Sequence, residues 1–297
     1  QVNRPAAKNG DGRQIAVGDW IVLKSSPDGK AYLIEGVLPR KTKFSRAAAG
    51  IEVKEQIVAA NVDTVFIIQS LNKDFNMRRL ERYMITAWDS GAIPVVVLTK
   101  ADCCNDVEER ISKVHATVPG VDAHAISCYT GEGISEIRKY LVPGKTITLL
   151  GSSGVGKSTI INCLAGRDLL KTGEIREHDD KGRHTTTHRE LLLLPDGGLI
   201  MDTPGMRSLL PWDADTGMDA LFGDIEELAA RCRFNDCRHV NEPGCAVREA
   251  LENGTLDIRR WESWSKLRTR CLRSNCRQAS MSWCSIICPT AWCKEGL

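Results

Sequence analysis

"GSSGVGKSTI" occupies residues 151–160. It fits the pattern G-x-x-x-x-G-K-[ST]. Gly151 and Gly156 let the backbone curl, so that the N–H groups of Ser152, Ser153, Gly154 and Val155, and those opening the next segment at Ser158 and Thr159, point inward at phosphates. Lys157 is placed to reach the β- and γ-phosphates, and Ser158 to set its hydroxyl on Mg²⁺. The flanks agree. "TITLL" (146–150) is short, apolar and β-branched, which predicts a strand. "STIINCLAG" (158–166) predicts a helix whose N-terminus faces the anion. Such a loop ordinarily opens a nucleotide-binding domain, yet 150 residues precede this one.

A chain of 297 residues has room for two or three domains. Its 42% apolar and 26% charged content is that of an ordinary soluble globular protein. A net charge of +2 supplies no global field, so any nucleic-acid surface has to be local. No apolar run reaches the roughly 18 residues of a membrane helix. "QVNRPAAKNGDGRQ" (1–14) lacks the apolar core of a signal peptide. The expectation is a cytoplasmic protein, monomeric and with no membrane partner. The chain does not begin with Met, so a missing or processed start is expected. Twelve cysteines beside a phosphate loop read as metal ligands or free thiols rather than a secreted disulfide framework.

The base is chosen elsewhere. "IPVVVLTKAD" (93–102) is a buried-type strand ending in Thr99, Lys100, Ala101 and Asp102, similar to the guanine-reading motif N-K-x-D. The Asp102 carboxylate can accept from the guanine N1–H and exocyclic amine, whereas adenine offers an acceptor at N1. Lys100 would lay its stem along the ring. Thr99 stands where Asn is usual, and its hydroxyl is expected to keep one polar contact. "AISCYTGEGI" (125–134) resembles the S-A-x-x-G-x-G loop that backs the guanine, with Ser127 and Cys128 against the base. "LLLLPDGGLIMDTPG" (191–205) reads as two hairpin strands ending in D-x-x-G: Asp202 holds Mg²⁺ through water and the Gly205 N–H meets the γ-phosphate. "GRHTTTH" (182–188) supplies a switch threonine for Mg²⁺, either Thr186 or Thr187.

A Ras-like chain runs phosphate loop, switch threonine, D-x-x-G, N-K-x-D, S-A. Here the last two come first, so the domain is circularly permuted. "VPGK" (142–145) joins the old termini, which lie close together in such domains. The chain leaves the domain just after switch II, so a C-terminal module follows directly on the γ-phosphate sensor.

That module opens with "RCRFNDCRHVNEPGCAV" (231–247). Cys232, Cys237, His239 and Cys245 can complete a tetrahedral Zn²⁺ shell with no open position, a structural site. "LDIRRWESWSKLRTRCLRSNCR" (256–277) is a basic helical stretch with Trp261 and Trp264 on one face, a spacing read as packing. At the other end, "AVGDWIVLKSSPDGKAYLIEGVLPRKTKFSR" (16–46) alternates apolar and polar residues about an "SSPDG" turn and predicts β-strands.

With these motifs in hand, the sequence over roughly 17–267 resembles the circularly permuted ribosome small-subunit-dependent GTPases (RsgA/YjeQ-type). "ANVD" (60–63), "TGEI" (172–175) and the run 182–207 add to the likeness. The resemblance implies an N-terminal OB-type β-barrel (1–58), a circularly permuted α/β P-loop GTPase domain (59–222) and a C-terminal helical zinc-binding module (223–297). It implies GTP, Mg²⁺ and one structural Zn²⁺, with the small ribosomal subunit and rRNA as partners. "PRKTKFSR" (39–46) is then an RNA contact: Arg40, Lys41, Lys43 and Arg46 on the backbone and Phe44 as a stacking ring. From the residues alone, a solvated loop with one half-buried Phe stands level with it. The likeness fails at "QASMSWCSIICPTAWCKEGL" (278–297), where a charged helical ending is expected.

Ras-like enzymes orient the attacking water with a Gln just after D-x-x-G. Met206 holds that position, and a thioether cannot do this. Slow intrinsic hydrolysis follows, with the missing group supplied by the partner or by another residue. His184 is the internal candidate for the catalytic role; a structural switch residue is the alternative. The reading is a GTP hydrolase of late small-subunit maturation. Its competitors are a GTP-gated RNA-binding factor in which hydrolysis is incidental, and an ATP-dependent RNA-remodelling enzyme, which Asp102 disfavours.

Overall fold

The alternating N-terminal stretch forms four short strands, β1 (Ile21–Ser25), β2 (Tyr32–Val37), β3 (Lys43–Ala47) and β4 (Glu55–Ala60), paired antiparallel as β1–β2 and β3–β4. The structure, a computed structural model, describes residues 15–26, 31–47, 55–72, 75–170, 190–202 and 215–278. The chain divides into two compact units, the first holding the described residues up to 202 and the second those from 215 on.

The strand β4 leads into the main sheet through "ANVD". Asn61 has φ 54°, a left-handed conformation that Asn tolerates because its short side chain bonds locally. Its Oδ1 accepts from the Lys41 N–H (2.9 Å) and its Nδ2 donates to Gly18 O (2.9 Å). Asp63 accepts from Lys145 Nζ (2.7 Å) and from the Thr146 N–H (2.9 Å). One short motif therefore fastens the N-terminal strands on one side and the join at 142–145 on the other. The join itself is a tight turn in which the Lys145 N–H donates to Val142 O (3.1 Å).

Six strands make the main sheet: β5 (Thr64–Ser70), β6 (Ile93–Thr99), β7 (Ala123–Ile126), β8 (Thr146–Gly151), β9 (Glu190–Leu193) and β10 (Leu199–Asp202), in the spatial order β7-β6-β5-β8-β10-β9. All neighbours are parallel except β9, an edge strand that forms the expected hairpin with β10. β5 is buried at all seven positions, as a parallel strand covered on both faces must be, and its Val, Phe and Ile run reflects this. Phe66, Ile68, Val97, Ile147, Ile160 and Ile200 are fully buried in one core cluster. Burial of each such side chain contributes about 1.5–3 kcal/mol.

Helices α1 (Met77–Asp89), α2 (Val107–Thr117), α3 (Ile134–Arg138) and α4 (Lys157–Ala165) connect these strands. β5, β6 and β7 precede the phosphate-loop strand β8 in the chain, yet β5 lies beside it in space. This is the permuted order. His124 Nε2 lies 3.0 Å from Tyr140 Oη, a packing role for a histidine without a metal-ligand partner.

The second unit contains α5 (Asp215–Ala229), bent at Phe222, α6 (Ala246–Glu252) and α7 (Ile258–Gln278). Arg260 grips Asp224 with two hydrogen bonds of 2.7 Å each and donates to Leu221 O at 2.8 Å. A bidentate pair of this kind fixes the crossing of α7 on α5. Trp264 is buried there, as the helical spacing of the two tryptophans predicts. No described helix is long and apolar enough to cross a membrane.

Candidate functional site

Four motifs distant in sequence meet at the carboxyl ends of the parallel strands, where α/β sheets bind ligands. β8 ends at Gly151 and β10 at Asp202; Thr99 ends β6, and Ser127 follows β7 directly. The register places Thr99 opposite Ser70 and Ile126, and Gly151 opposite Ile68.

The phosphate loop is shaped by its glycines. A Cβ at Gly151 would lie 2.7 Å from Ile68 O, so the loop could not leave the sheet so closely with any side chain there. Gly156 has φ 97°, open essentially to glycine alone, and caps α4. Ser153, Gly154 and Thr159 are exposed and Ser158 is half-buried in the first turn of α4. Val155 is buried in the core and anchors the loop's centre. Lys157 Nζ donates to Gly151 O (2.7 Å) and to Ser152 O, which lays the ammonium over the loop's own backbone.

Thr99 corrects one expectation. It is 4% exposed, and its hydroxyl donates to Val155 O at 2.7 Å. The single hydroxyl proton is thus spent on the phosphate loop rather than on a base. Lys100 takes φ 62° and points its ammonium toward Gly154 O (3.5 Å), along the side of the loop. Ala101 begins a short 3₁₀ turn, Ala101–Cys103, that presents Asp102 at the surface.

The Asp102 carboxylate is held below its usual range by the nearby Ser127 hydroxyl and then by the Cys103 thiol, which donates to it at 3.1 Å. Ser127 is fully buried, and its oxygen accepts from the N–H groups of Tyr129 and Thr130 (3.2 Å each), which turns its own proton outward. Burial, with Cys163 beside it, pushes the Cys128 thiol up to about 12. That side chain packs on the core and stays neutral.

One contributor escaped the sequence reading. Arg79, in the first turn of α1, donates from Nη1 to Ser152 Oγ at 2.7 Å. The signal was present: "NMRRLER" (76–82) opens a helix with basic residues and no acid in its first turn, against the helix dipole. His184, Thr186, Thr187, Gly205 and Met206 lie outside the described residues.

The basic run 39–46 is also corrected in part. Phe44 is 2% exposed, packed inside and closed to base stacking. Arg40 is committed to Asp19 through bonds of 2.6 and 2.7 Å. Lys41 is exposed; Lys43 reaches Glu55 (2.7 Å) and Arg46 reaches Gln56 (3.0 Å) from the surface of the β3–β4 pair.

In the second unit, the ligand atoms of Cys232, Cys237, His239 and Cys245 all lie within 4.8 Å of one another. Cys232 Sγ is 3.9 Å from Cys245 Sγ, and His239 Nδ1 is 3.5 and 3.4 Å from these two sulfurs. A tetrahedral Zn²⁺ with ordinary bond lengths needs S···S of about 3.8 Å and S···N of about 3.5 Å, so the donor set fits. Burial pushes the Cys232 thiol up, but the N–H groups of Val247 and Ala246 in α6 outweigh it and hold the thiol below its ordinary value. Burial, then the Cys245 and Cys232 thiols, push Cys237 up to about 11. A dication relieves the cost of ionising neighbouring thiols together. Burial lowers His239, which keeps the imidazole neutral as a ligand must be.

Trp261 and Trp264 stack at 4.7 Å between centroids, and both meet the His239 ring nearly edge-on, at 5.6 and 6.0 Å. Glu242 accepts from the N–H groups of Arg238, Val240 and Asn241 (3.1, 2.9 and 3.0 Å), which ties the ligand-bearing loop.

Comparison with known proteins gives one answer. The family profile described as RsgA GTPase matches residues 37–212. "Small ribosomal subunit biogenesis GTPase RsgA 2" of Lactiplantibacillus plantarum is 50% identical over 252 residues, 85% of this chain and 70% of that protein. "Small ribosomal subunit biogenesis GTPase RsgA" of Methanosarcina acetivorans is 43% identical over 256 residues, 86% and 69% of the two chains. Among solved structures, YjeQ from Thermotoga maritima superposes with a TM-score of 0.64 at 29% identity, covering 88% of this chain and 86% of that one. YloQ, a circularly permuted GTPase, gives a TM-score of 0.58 at 24% identity over 89% and 83% of the chains, a likeness of fold. The permuted sheet with its phosphate loop on the central strand β8 agrees with these likenesses, and the chain belongs to the RsgA GTPase family.

Proposed function

We propose that this protein binds the small ribosomal subunit and its rRNA and hydrolyses GTP to GDP and phosphate during late subunit maturation, as a cytoplasmic monomer. The carrying observation is the convergence of Asp102, Ser127, the phosphate loop and Asp202 at the carboxyl ends of one sheet. The relatives named as small-subunit biogenesis GTPases support the partner. In this reading 1–58 and 223–297 are the ribosome-facing modules and 59–222 is the GTPase domain. Arg40, Lys41, Lys43 and Arg46 are the basic groups offered to rRNA phosphates.

Each part of the nucleotide has a counterpart. Asp102, beside Ser127, accepts from the guanine edge. The N–H groups of 152–159 and the start of α4 receive the phosphates. Mg²⁺, when bound, neutralises charge on the β- and γ-phosphates; Ser158 and Asp202 would hold it, with Thr186 or Thr187 completing its shell. Gly205 would meet the γ-phosphate through its N–H. Met206 cannot align water, so His184 takes that role in the switch segment.

Asp102→Asn is expected to weaken GTP binding about tenfold or more and to raise affinity for xanthine nucleotides. The charged acceptor is lost, while the new amide can donate to the xanthine oxygen that replaces the guanine amine. Competition of GTP and XTP for the protein measures this; an unchanged preference for GTP would remove Asp102 from base reading.

His184→Ala is expected to lose most of the subunit-stimulated rate with little change in GTP affinity, the pattern of an interaction made in the transition state. Stimulated turnover equal to the parent's would leave His184 a structural switch residue.

Co-sedimentation with purified small subunits tests the partner. Binding is expected with a non-hydrolysable GTP analogue and loss of binding with GDP. Equal pelleting with both, or with neither, would contradict the proposal.

A further inference from the structure

The phosphate loop is held from two sides. On one side, Thr99 Oγ1 donates to Val155 O (2.7 Å). On the other, Arg79 Nη1 donates to Ser152 Oγ (2.7 Å). Arg79 is itself placed by a chain of hydrogen bonds that starts at a buried side chain. Gln69, 1% exposed at the end of β5, accepts from the Asn76 N–H through Oε1 (2.8 Å) and donates from Nε2 to Asn76 O (3.0 Å). Asn76 then caps α1, its Oδ1 accepting from the Arg79 N–H (3.0 Å). Gln69 O in turn lies 3.4 Å from Thr99 Oγ1. The Arg79 hold therefore leads back to the end of β5 and the start of α1, and Thr99 lies beside the same Gln69.

This arrangement bears on how the loop meets a phosphate. Lys157 Nζ is bonded to Gly151 O and Ser152 O. To meet both the β- and γ-phosphates, the ammonium, with three N–H groups, must give up at least one of those two carbonyls. The Gly151–Ser152 segment would then lose part of its hold on that internal cation at the moment it has to keep its shape. The Arg79 guanidinium reaches the same residue through its side chain and does not need to move. A cation in the first turn of a helix opposes the helix dipole, and the contact with Ser152 is what the position gains in return.

We propose that Arg79 is a positioning residue of the nucleotide site: acting through the Ser152 hydroxyl, it keeps the phosphate loop in its binding conformation when Lys157 moves onto the phosphates. The proposal rests on the reading of 151–158 as a phosphate site. Because the loop wraps the phosphates common to both nucleotides, Arg79 serves GDP and GTP alike.

The test is a double-mutant cycle on the full chain, with fluorescent mant-GDP and a mant-labelled non-hydrolysable GTP analogue as probes. Arg79→Ala is expected to weaken both about tenfold, the scale of one charged hydrogen bond. Ser152→Ala, which removes only the acceptor, should reproduce most of that loss. The double variant should be no weaker than the weaker single variant, because the two side chains act as one unit. Thermal melting of each variant, compared with the parent, separates this from general damage to α1; Ser152→Ala keeps the test open if Arg79→Ala does not fold. Additive losses in the double variant, or affinities within twofold of the parent, would overturn the proposal. So would a loss confined to the GTP analogue, which would place Arg79 on the γ-phosphate itself. A parent that binds neither probe would instead defeat the phosphate-site reading.

Discussion

Lys157→Ala is expected to weaken GTP binding by about a hundredfold to a few thousandfold, the 3–5 kcal/mol that follows when one partner of a sequestered charge pair is removed. The ammonium is half-buried over the loop, where water screens it poorly, and it lies against Gly151 O and Ser152 O at the turn that meets the phosphates. Its loss leaves the β- and γ-phosphates without the loop's own cationic side chain. Titration with a fluorescent GTP analogue measures the change. Affinity within twofold of the parent would mean that 151–158 is not the phosphate site.

Removal of zinc is expected to have an effect as large on a different property. About one ion per chain should be found by elemental analysis, and a strong chelator should unfold the C-terminal unit. The ligands lie in a loop 232–245 and at the start of α6, a helix of only seven residues. Such short segments bury little apolar surface, and the apparent free energy of structural zinc binding in small modules is about 10–16 kcal/mol. Trp261 and Trp264 stack on each other and against the His239 ring, so their near-ultraviolet circular dichroism should collapse with the metal. Nucleotide affinity should stay within about twofold, since no ligand comes from the GTPase motifs. Carefully prepared protein without metal, showing the same tryptophan signal, would end the assignment.

What the sequence made legible, and what it did not, divides along a physical line. Backbone-dictated features could be read directly. The apolar run at 93–99 could only be a covered strand, and Gly156 in a curled loop left little alternative. The cysteine and histidine spacing at 232–245 limited the ligand set to four residues, which the structure brings together. Motif order alone revealed the permutation. Side-chain partners distant in the chain were not legible. Thr99 was read as a base contact because its motif position suggests one, yet its hydroxyl found Val155 O, 56 residues away. Phe44 looked like a surface ring among basic residues, but the β3–β4 register turns it inward. Arg79 belongs to no phosphate motif and meets Ser152 only because α1 begins beside β8's loop. Asn61 and Asp63 carried the family likeness as letters; the structure gives them work, at Lys41 and Gly18 for one and at Lys145 and Thr146 for the other.

The central claim is that this nucleotide site turns over GTP in answer to the ribosome. Met206, in the place of a water-orienting Gln, gives the isolated protein no means there to align the nucleophile. Contacts made by the flanking modules would order the switch segment 182–188 and bring His184 into use. Steady-state GTP hydrolysis by the purified protein, with and without isolated small ribosomal subunits, tests this most directly. Turnover far below the enzyme median of about 10 s⁻¹ is expected for the protein alone, with a large acceleration by small subunits that large subunits do not reproduce. Equal rates with and without small subunits would contradict it.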